Sequence, residues 1–230
     1  MRAEAFADIE ARAIERKGGA GRLSQITSEP LSQPHIAALD DSVFLVELTK
    51  KVFQSGFVWR VVEQKWPAFE EVFFSFDIEK ILLMPDDMLE KKARDPAIIR
   101  NLNKVHTIRE NALMIKRVAD EHGSFARFVS QWPNTDIIGL WSYLQKNGAR
   151  LGGNTGPYAL RYIGVDTFLL SQDVEHYFRH YELISGGLRS KQRLKAFQDI
   201  FNAWHSETGY SMTRLSQTLS YSVGDNFVGF

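Results

Sequence analysis

Leu151-Gly-Gly-Asn-Thr-Gly-Pro-Tyr-Ala-Leu-Arg-Tyr-Ile-Gly164 is the stretch that decides how this chain is read. Before it, Asp136 to Asn147 has helical apolar spacing and stops at Gly148. Within it, the spacing resumes from about Pro157 to Ile163, and a proline suits the first turn of a helix. The segment predicts two helices joined by a glycine-rich hairpin. Gly152, Gly153 and Gly156 let the main chain approach an anion closely and take positive φ where needed. The second helix points its free N–H groups at that anion. Arg150 and Arg161 flank the turn, with Thr155 inside it, and add charge-assisted contacts to a phosphate. On this segment alone, an ordinary helix–helix turn explains the pattern equally well.

Helical spacing continues on both sides of the hairpin. Ile98, Leu102, Val105, Ile108, Ala112, Ile115 and Val118 predict one long amphipathic helix. Phe44, Leu48, Val52 and Phe53 predict an earlier one, with Asp40-Asp41-Ser42 supplying its cap. Pro85-Asp-Asp-Met-Leu opens a short helix. Ser124 to Gln131 forms another, stopped by Trp132-Pro133. Ser171 to Tyr181, Arg189 to Ser206 and Thr213 to Tyr221 follow. Phe6 to Lys17 reads as a helix broken by Gly18 and Gly19, and Ser28 to Pro34 reads as a loop. No segment alternates with a period of two. The expected class is all-α, with residues 1–40 as a helix and loop extension. Residues 41–230 then form one helical domain with its hairpin near 148–164.

The 230 residues carry no cysteine and a formal net charge of zero. Disulfides and thiolate metal sites are therefore excluded, and no metal or cofactor is assigned. No apolar run is long enough to span a bilayer and the first residues lack an apolar signal region. A cytoplasmic, nucleoid-associated location is expected. The charge is polarised. Residues 61–90 are mainly acidic, Lys91 to Arg117 is basic, and Lys146, Arg150 and Arg161 surround the hairpin. Arg189, Lys191, Arg193 and Lys195 form a second basic cluster. A neutral protein polarised in this way still presents a basic face to phosphates.

Three blocks resemble the bacterial 3-methyladenine DNA glycosylase I family within the helix-hairpin-helix glycosylases. Asp41-Ser-Val-Phe-Leu-Val-Glu-Leu, running into Gln54-Ser-Gly-Phe-Val-Trp59, is similar to the family's helix leading to Gln-Ala-Gly-Leu-Ser-Trp, and Phe69 to Pro85 continues it. Ile98-Ile-Arg-Asn-Leu-Asn-Lys104-Val resembles the family's Ile-Ile-Arg-x-x-x-Lys-Ile. The third block is the hairpin with Ser171-Gln-Asp173-Val. The resemblance implies an enzyme that flips an alkylated purine from double-stranded DNA and hydrolyses its N-glycosidic bond. It implies a helix-hairpin-helix glycosylase fold, no cofactor, and a monomer. Trp59 matches the tryptophan that stacks on the base. Lys51 stands where the family has a purine-reading glutamate. A lysine cannot accept a hydrogen bond from an exocyclic amine and repels a cationic base. Glu47, one turn earlier, either substitutes for that glutamate or pairs with Lys51. The pairing is the expectation.

In the wider superfamily an aspartate after the hairpin stabilises the oxocarbenium-like sugar or activates water. Asp173 is the match, although a register anchored on Val174 puts Ser171 there instead. Asp166 is expected to cap a turn. The lyase-active relatives use a lysine where this chain has Pro157, so no strand nicking is expected. The family's zinc site needs two cysteines and is absent, as is its tyrosine-rich N-terminal pocket segment. Lys104 and Arg100, near Asn103 and His106, read equally as phosphate contacts or as a solvated face. Tyr158 and Tyr162 are expected in the hairpin core, and Trp132, Trp141 and Trp204 in the core generally. Two other classes are kept open. One is a catalytically inactive helix-hairpin-helix DNA-binding protein, and the other an all-α small-molecule enzyme.

Overall fold

The computed structural model describes residues 3–181, 183 and 190–224. Arg189 of the second basic cluster lies outside the described residues. Fourteen α-helices occur among the described residues. They are α1 (Phe6–Lys17), α2 (Ala20–Ile26), α3 (Gln33–Ala37), α4 (Asp41–Gln54), α5 (Trp59–Val72), α6 (Ile78–Leu82) and α7 (Asp86–Ala93). Then come α8 (Leu102–His122), α9 (Phe125–Ser130), α10 (Ile137–Asn147), α11 (Thr155–Ile163), α12 (Gln172–His180), α13 (Lys191–Thr208) and α14 (Met212–Ser222). No strand occurs among these residues, as the absence of period-two spacing predicts. No helix among them is long and apolar enough to cross a membrane.

The helices gather into two compact units. One comprises Met1–Leu31, Pro133–Gly139 and Gly164–Phe230; the other comprises Ser32–Trp132 and Leu140–Ile163. In the first, α1 packs on α13 and α14. Phe6 is fully buried with its ring 5.6 Å from that of Trp204, and Phe168 stacks on Phe201 at 4.3 Å. Asp166, expected to cap a turn, instead meets the start of a distant helix: its carboxylate accepts from Thr213 N at 2.9 Å, at the start of α14, and from Asn134 Nδ2 at 3.1 Å.

In the second unit α4 is central, packing against α8 and α11. Asp40 caps it, accepting from Ser42 N at 2.8 Å. Asp41 does something else: its two oxygens accept from Phe125 N and Ala126 N, both at 2.9 Å, and fix the start of α9. The α8 helix is shorter at its start than the spacing predicts. Ile98 is buried but precedes the helix, because Asn101 caps it by accepting from Lys104 N at 3.1 Å. The α5 helix is absent from the reading of apolar spacing and contains Pro67. It ends in an unusual turn in which Phe74, Ser75 and Phe76 take φ of 56°, 54° and 58°. Left-handed backbone costs about 1–2 kcal/mol per non-glycine residue. Burial of Phe73 and Phe76, with Trp66 stacked on Phe76 at 5.5 Å, holds the turn in place.

Candidate functional site

The hairpin between α10 and α11 is built as its sequence demands, and α8 holds it. A Cβ on Gly148 would lie 2.5 Å from Leu151 Cδ1 and 2.9 Å from the Leu144 carbonyl, so only glycine fits. Arg150 and Gly153 both take positive φ, 58° and 64°. Asn111 of α8, fully buried, brackets the turn: its Oδ1 accepts from Ala149 N at 2.7 Å and its Nδ2 donates to Ala149 O at 3.2 Å. Sequence reading passed over this clamp. Its only signal was a lone asparagine on the apolar stripe of a long helix, where a buried amide needs partners.

The glycines divide by role. Gly153 is exposed and Gly152 half-buried at the tip. Gly156 is buried, its N–H donates to Leu151 O at 3.1 Å, and a Cβ there would meet that oxygen at 2.8 Å. Thr155 N–H donates to Gly152 O at 3.3 Å. These two amides close the turn instead of facing outward. Arg150 is exposed and Arg161 half-buried.

Lys104 has a structural role that neither reading gave it. Its Nζ donates to the carbonyls of Phe53 at 3.1 Å and Ser55 at 2.8 Å, so it satisfies the end of α4. Burial, then the nearby Arg150 charge, holds its pKa below the ordinary lysine value.

The second feature lies where α4, α11 and the start of α5 meet. Trp59 and Tyr162 are 43% and 57% exposed. Tyr162 is therefore not hairpin core, contrary to expectation, and Tyr158 is half-buried. The Trp59 ring meets Tyr158 at 5.9 Å and Tyr162 at 6.4 Å, both edge-on. Beneath them sits Lys51, 3% exposed. Its Nζ lies 3.2 Å from the centroid of the Tyr162 ring and 4.9 Å from that of Trp59. It donates to Gln54 Oε1 at 2.9 Å, and Gln54 Nε2 donates to Glu63 Oε1 at 2.7 Å. Desolvation pushes the Lys51 pKa down to about 8, against the opposing pull of Glu47 and Glu63 and with help from Lys50. Each ring face stabilises the cation by roughly 1–2 kcal/mol.

The expected Glu47–Lys51 pair does not form. Glu47 pairs with Lys50 at 3.6 Å, and its Oε2 is buried without a hydrogen-bond partner. Lys50 also reaches Glu63 Oε2 at 3.8 Å and the Trp66 ring at 4.7 Å. The aromatic cover over Lys51 makes the difference, because it competes for the ammonium that a helix-surface lysine would offer to Glu47. Of the three tryptophans expected in the core, Trp141 and Trp204 are buried while Trp132 is half-buried.

Asp173 lies in the first turn of α12 and is half-buried. Its Oδ2 accepts from Ser220 Oγ at 3.0 Å. A Cβ on Gly224, whose φ is 70°, would lie 2.3 Å from Asp173 Oδ1, so glycine is what lets that segment approach the carboxylate. Ser171 is structural, since its Oγ accepts from Val174 N at 3.3 Å and caps α12. The side chains do not fit a zinc centre. There is no cysteine, and no three His, Asp or Glu gather among the described residues. His176 and His180, spaced i,i+4 on α12, stand with ring centroids 6.4 Å apart, and among the described residues no third His, Asp or Glu joins them as a metal-ligating group.

The architecture is that of the helical DNA glycosylases. The 8-oxoguanine DNA glycosylase of Methanocaldococcus jannaschii superposes with a TM-score of 0.59 at 14% identity, covering 94% of this chain and 93% of that one. A variant of 3-methyladenine DNA glycosylase I in complex with 3-methyladenine matches with a TM-score of 0.50 at 20% identity, over 65% of this chain and 88% of that one. At such identities the likeness concerns the fold. Residues 35–150 match the methyladenine glycosylase family, and the chain belongs to that family. The matched region includes Lys51, Trp59, Lys104 and Asn111.

Proposed function

We propose that this protein is a monofunctional DNA glycosylase that flips a damaged purine out of duplex DNA and hydrolyses its N-glycosidic bond. One observation carries the reading: two half-exposed aromatic rings, Trp59 and Tyr162, roof the buried ammonium of Lys51 where α4 meets the helix that starts at the hairpin. A flipped base needs an aromatic face to stack on and a polar group to read its edge. Gly152, Gly153, Arg150 and Arg161 hold the phosphate backbone at the hairpin, Arg150 as a solvent-facing charge.

In the reaction, water adds to C1′ and the C1′–N9 bond breaks with its electron pair passing to the purine. The proton lost by the water ends on the departing base or in solvent. Asp173, through its carboxylate, stabilises the positive charge that builds on the sugar. No lysine occupies the position of Pro157, so the product is an abasic site in an unbroken strand. Alkylated purines are the first class to assay, since that substrate class follows from the family.

The test incubates excess protein with alkylated, deaminated and oxidised duplex DNA and measures free purine by mass spectrometry. Release of a purine, with strand breakage only after alkali, is the expected result. Salt-dependent duplex binding with no release from any substrate would replace this reading by that of an inactive DNA-binding protein.

A further inference from the structure

The group beneath the aromatic roof is a cation with unmet donors. Lys51 Nζ has three N–H groups, and among the described residues only Gln54 Oε1 takes one. Two rings also face it, Tyr162 at 3.2 Å and Trp59 at 4.9 Å. A buried ammonium so placed calls for an acceptor, and the rings that cover it are half open to solvent. The charged groups around it are Glu47 and Glu63, which favour its charge, and Lys50, which opposes it. Glu47 is engaged by Lys50, and Glu63 meets Lys51 through Gln54.

We propose that Lys51 makes this site a reader of neutral 6-oxopurines, donating to the O6 and N7 acceptors of the flipped base once the half-exposed Tyr162 ring that covers it turns aside. The inference rests on the glycosylase reading above and, within its damaged purines, selects a class other than the alkylated adenines. The charge balance of bond cleavage gives the reason. A neutral 6-oxopurine takes up the C1′–N9 electron pair and leaves with one negative charge until it is protonated. An ammonium at O6 and N7 stabilises that charge as it develops, which is when stabilisation accelerates the step. A ring-N-alkylated adenine is cationic before cleavage and neutral after. Beside Lys51 it is repelled on entry and gains nothing on leaving. Its exocyclic amine also offers a donor to a group that has only donors. Among 6-oxopurines, deaminated adenine opposite thymine is poorly paired, so flipping it costs less than flipping guanine from a G·C pair.

The test has two arms. The first compares kcat/KM for duplexes containing hypoxanthine opposite thymine with duplexes containing 3-methyladenine, for the wild type and for Lys51→Met and Lys51→Glu. The wild type should favour hypoxanthine at least about tenfold, the ordinary size of a charge-assisted hydrogen bond. Lys51→Met should lose that preference and Lys51→Glu should invert it. Wild-type hypoxanthine release should also fall as pH rises through about 8, where the ammonium discharges.

The second arm titrates free hypoxanthine and free adenine into the wild type by calorimetry, and needs neither variant to fold nor any catalysis. Preference for hypoxanthine there, with no base released from any duplex, upholds this inference and sinks the glycosylase reading. Binding of neither base, equal binding of both, or faster release of 3-methyladenine overturns it. So does a hypoxanthine preference that survives Lys51→Met but disappears in Glu47→Gln, which would make the unpartnered Glu47 Oε2 the reader.

Discussion

Replacing Lys51 by methionine keeps an unbranched side chain, one atom shorter, and removes its charge. In the unfolded chain the lysine titrates near 10.5, and in the fold at about 8. Below about 8 it is charged in both states, and the fold carries the whole penalty of burying it. Between about 8 and 10.5 the unfolded chain binds more protons than the native one, so wild-type stability rises with pH across that window. Above 10.5 the penalty is gone. The separation of the two values corresponds to about 3 kcal/mol. From about pH 7 to about pH 10 the wild type recovers roughly 2–3 kcal/mol of it. Lys51→Met has no such contribution, and the other titrating groups cancel in the comparison. Urea unfolding of both proteins at the two pH values measures it. The advantage of the methionine variant over the wild type, whatever its absolute size, should be larger at the lower pH by that amount. A difference that is flat with pH, or that grows toward alkaline pH, would refute the assignment of Lys51 as a buried, desolvated cation.

Three further outcomes follow from the same geometry. Asn111→Ala leaves both backbone groups of Ala149 without their partner and should cost about 2–3 kcal/mol in chemical denaturation; a loss below roughly 0.5 kcal/mol would mean the clamp is not needed. Arg150→Ala should weaken duplex binding alike for all sequences and lower the slope of log K against log salt by about one. A wild-type slope in that variant would remove Arg150 from the DNA contact. Asp173→Asn should reduce base release by roughly tenfold or more while duplex affinity is kept, and full activity would take Asp173 out of the site.

The fold was largely legible because its helices carry their apolar residues at helical spacing and their caps in plain view. Asp40, Ser124 and Ser171 each stand one residue before a helix and each cap it. Gly148 and Gly156 announced the hairpin, since no side chain fits at either position. Where reading failed, a tertiary partner decided. Ile98 has the apolar period of α8, yet the Asn101 cap starts the helix later. The α5 helix was hidden by Pro67 and by charged residues at its exposed positions. Lys104 looked like a surface cation, and only the fold shows the carbonyls of Phe53 and Ser55 waiting for it. Tyr162 and Lys51 were misplaced for one reason: spacing places each on its helix, but not that the two meet across α4 and α11. Cation and ring recognise each other through geometry that no local pattern encodes.

Whether the site roofed by Trp59 and Tyr162 accepts a damaged purine, and the protein then cuts its glycosidic bond, is tested most directly by one measurement. Duplex DNA bearing a single hypoxanthine opposite thymine is incubated with the protein, and free base and strand integrity are followed together. The predicted result is free hypoxanthine in step with alkali-labile abasic sites and an intact strand before alkali. Duplex that is bound yet releases no purine, from this lesion or from alkylated and oxidised ones, would contradict it.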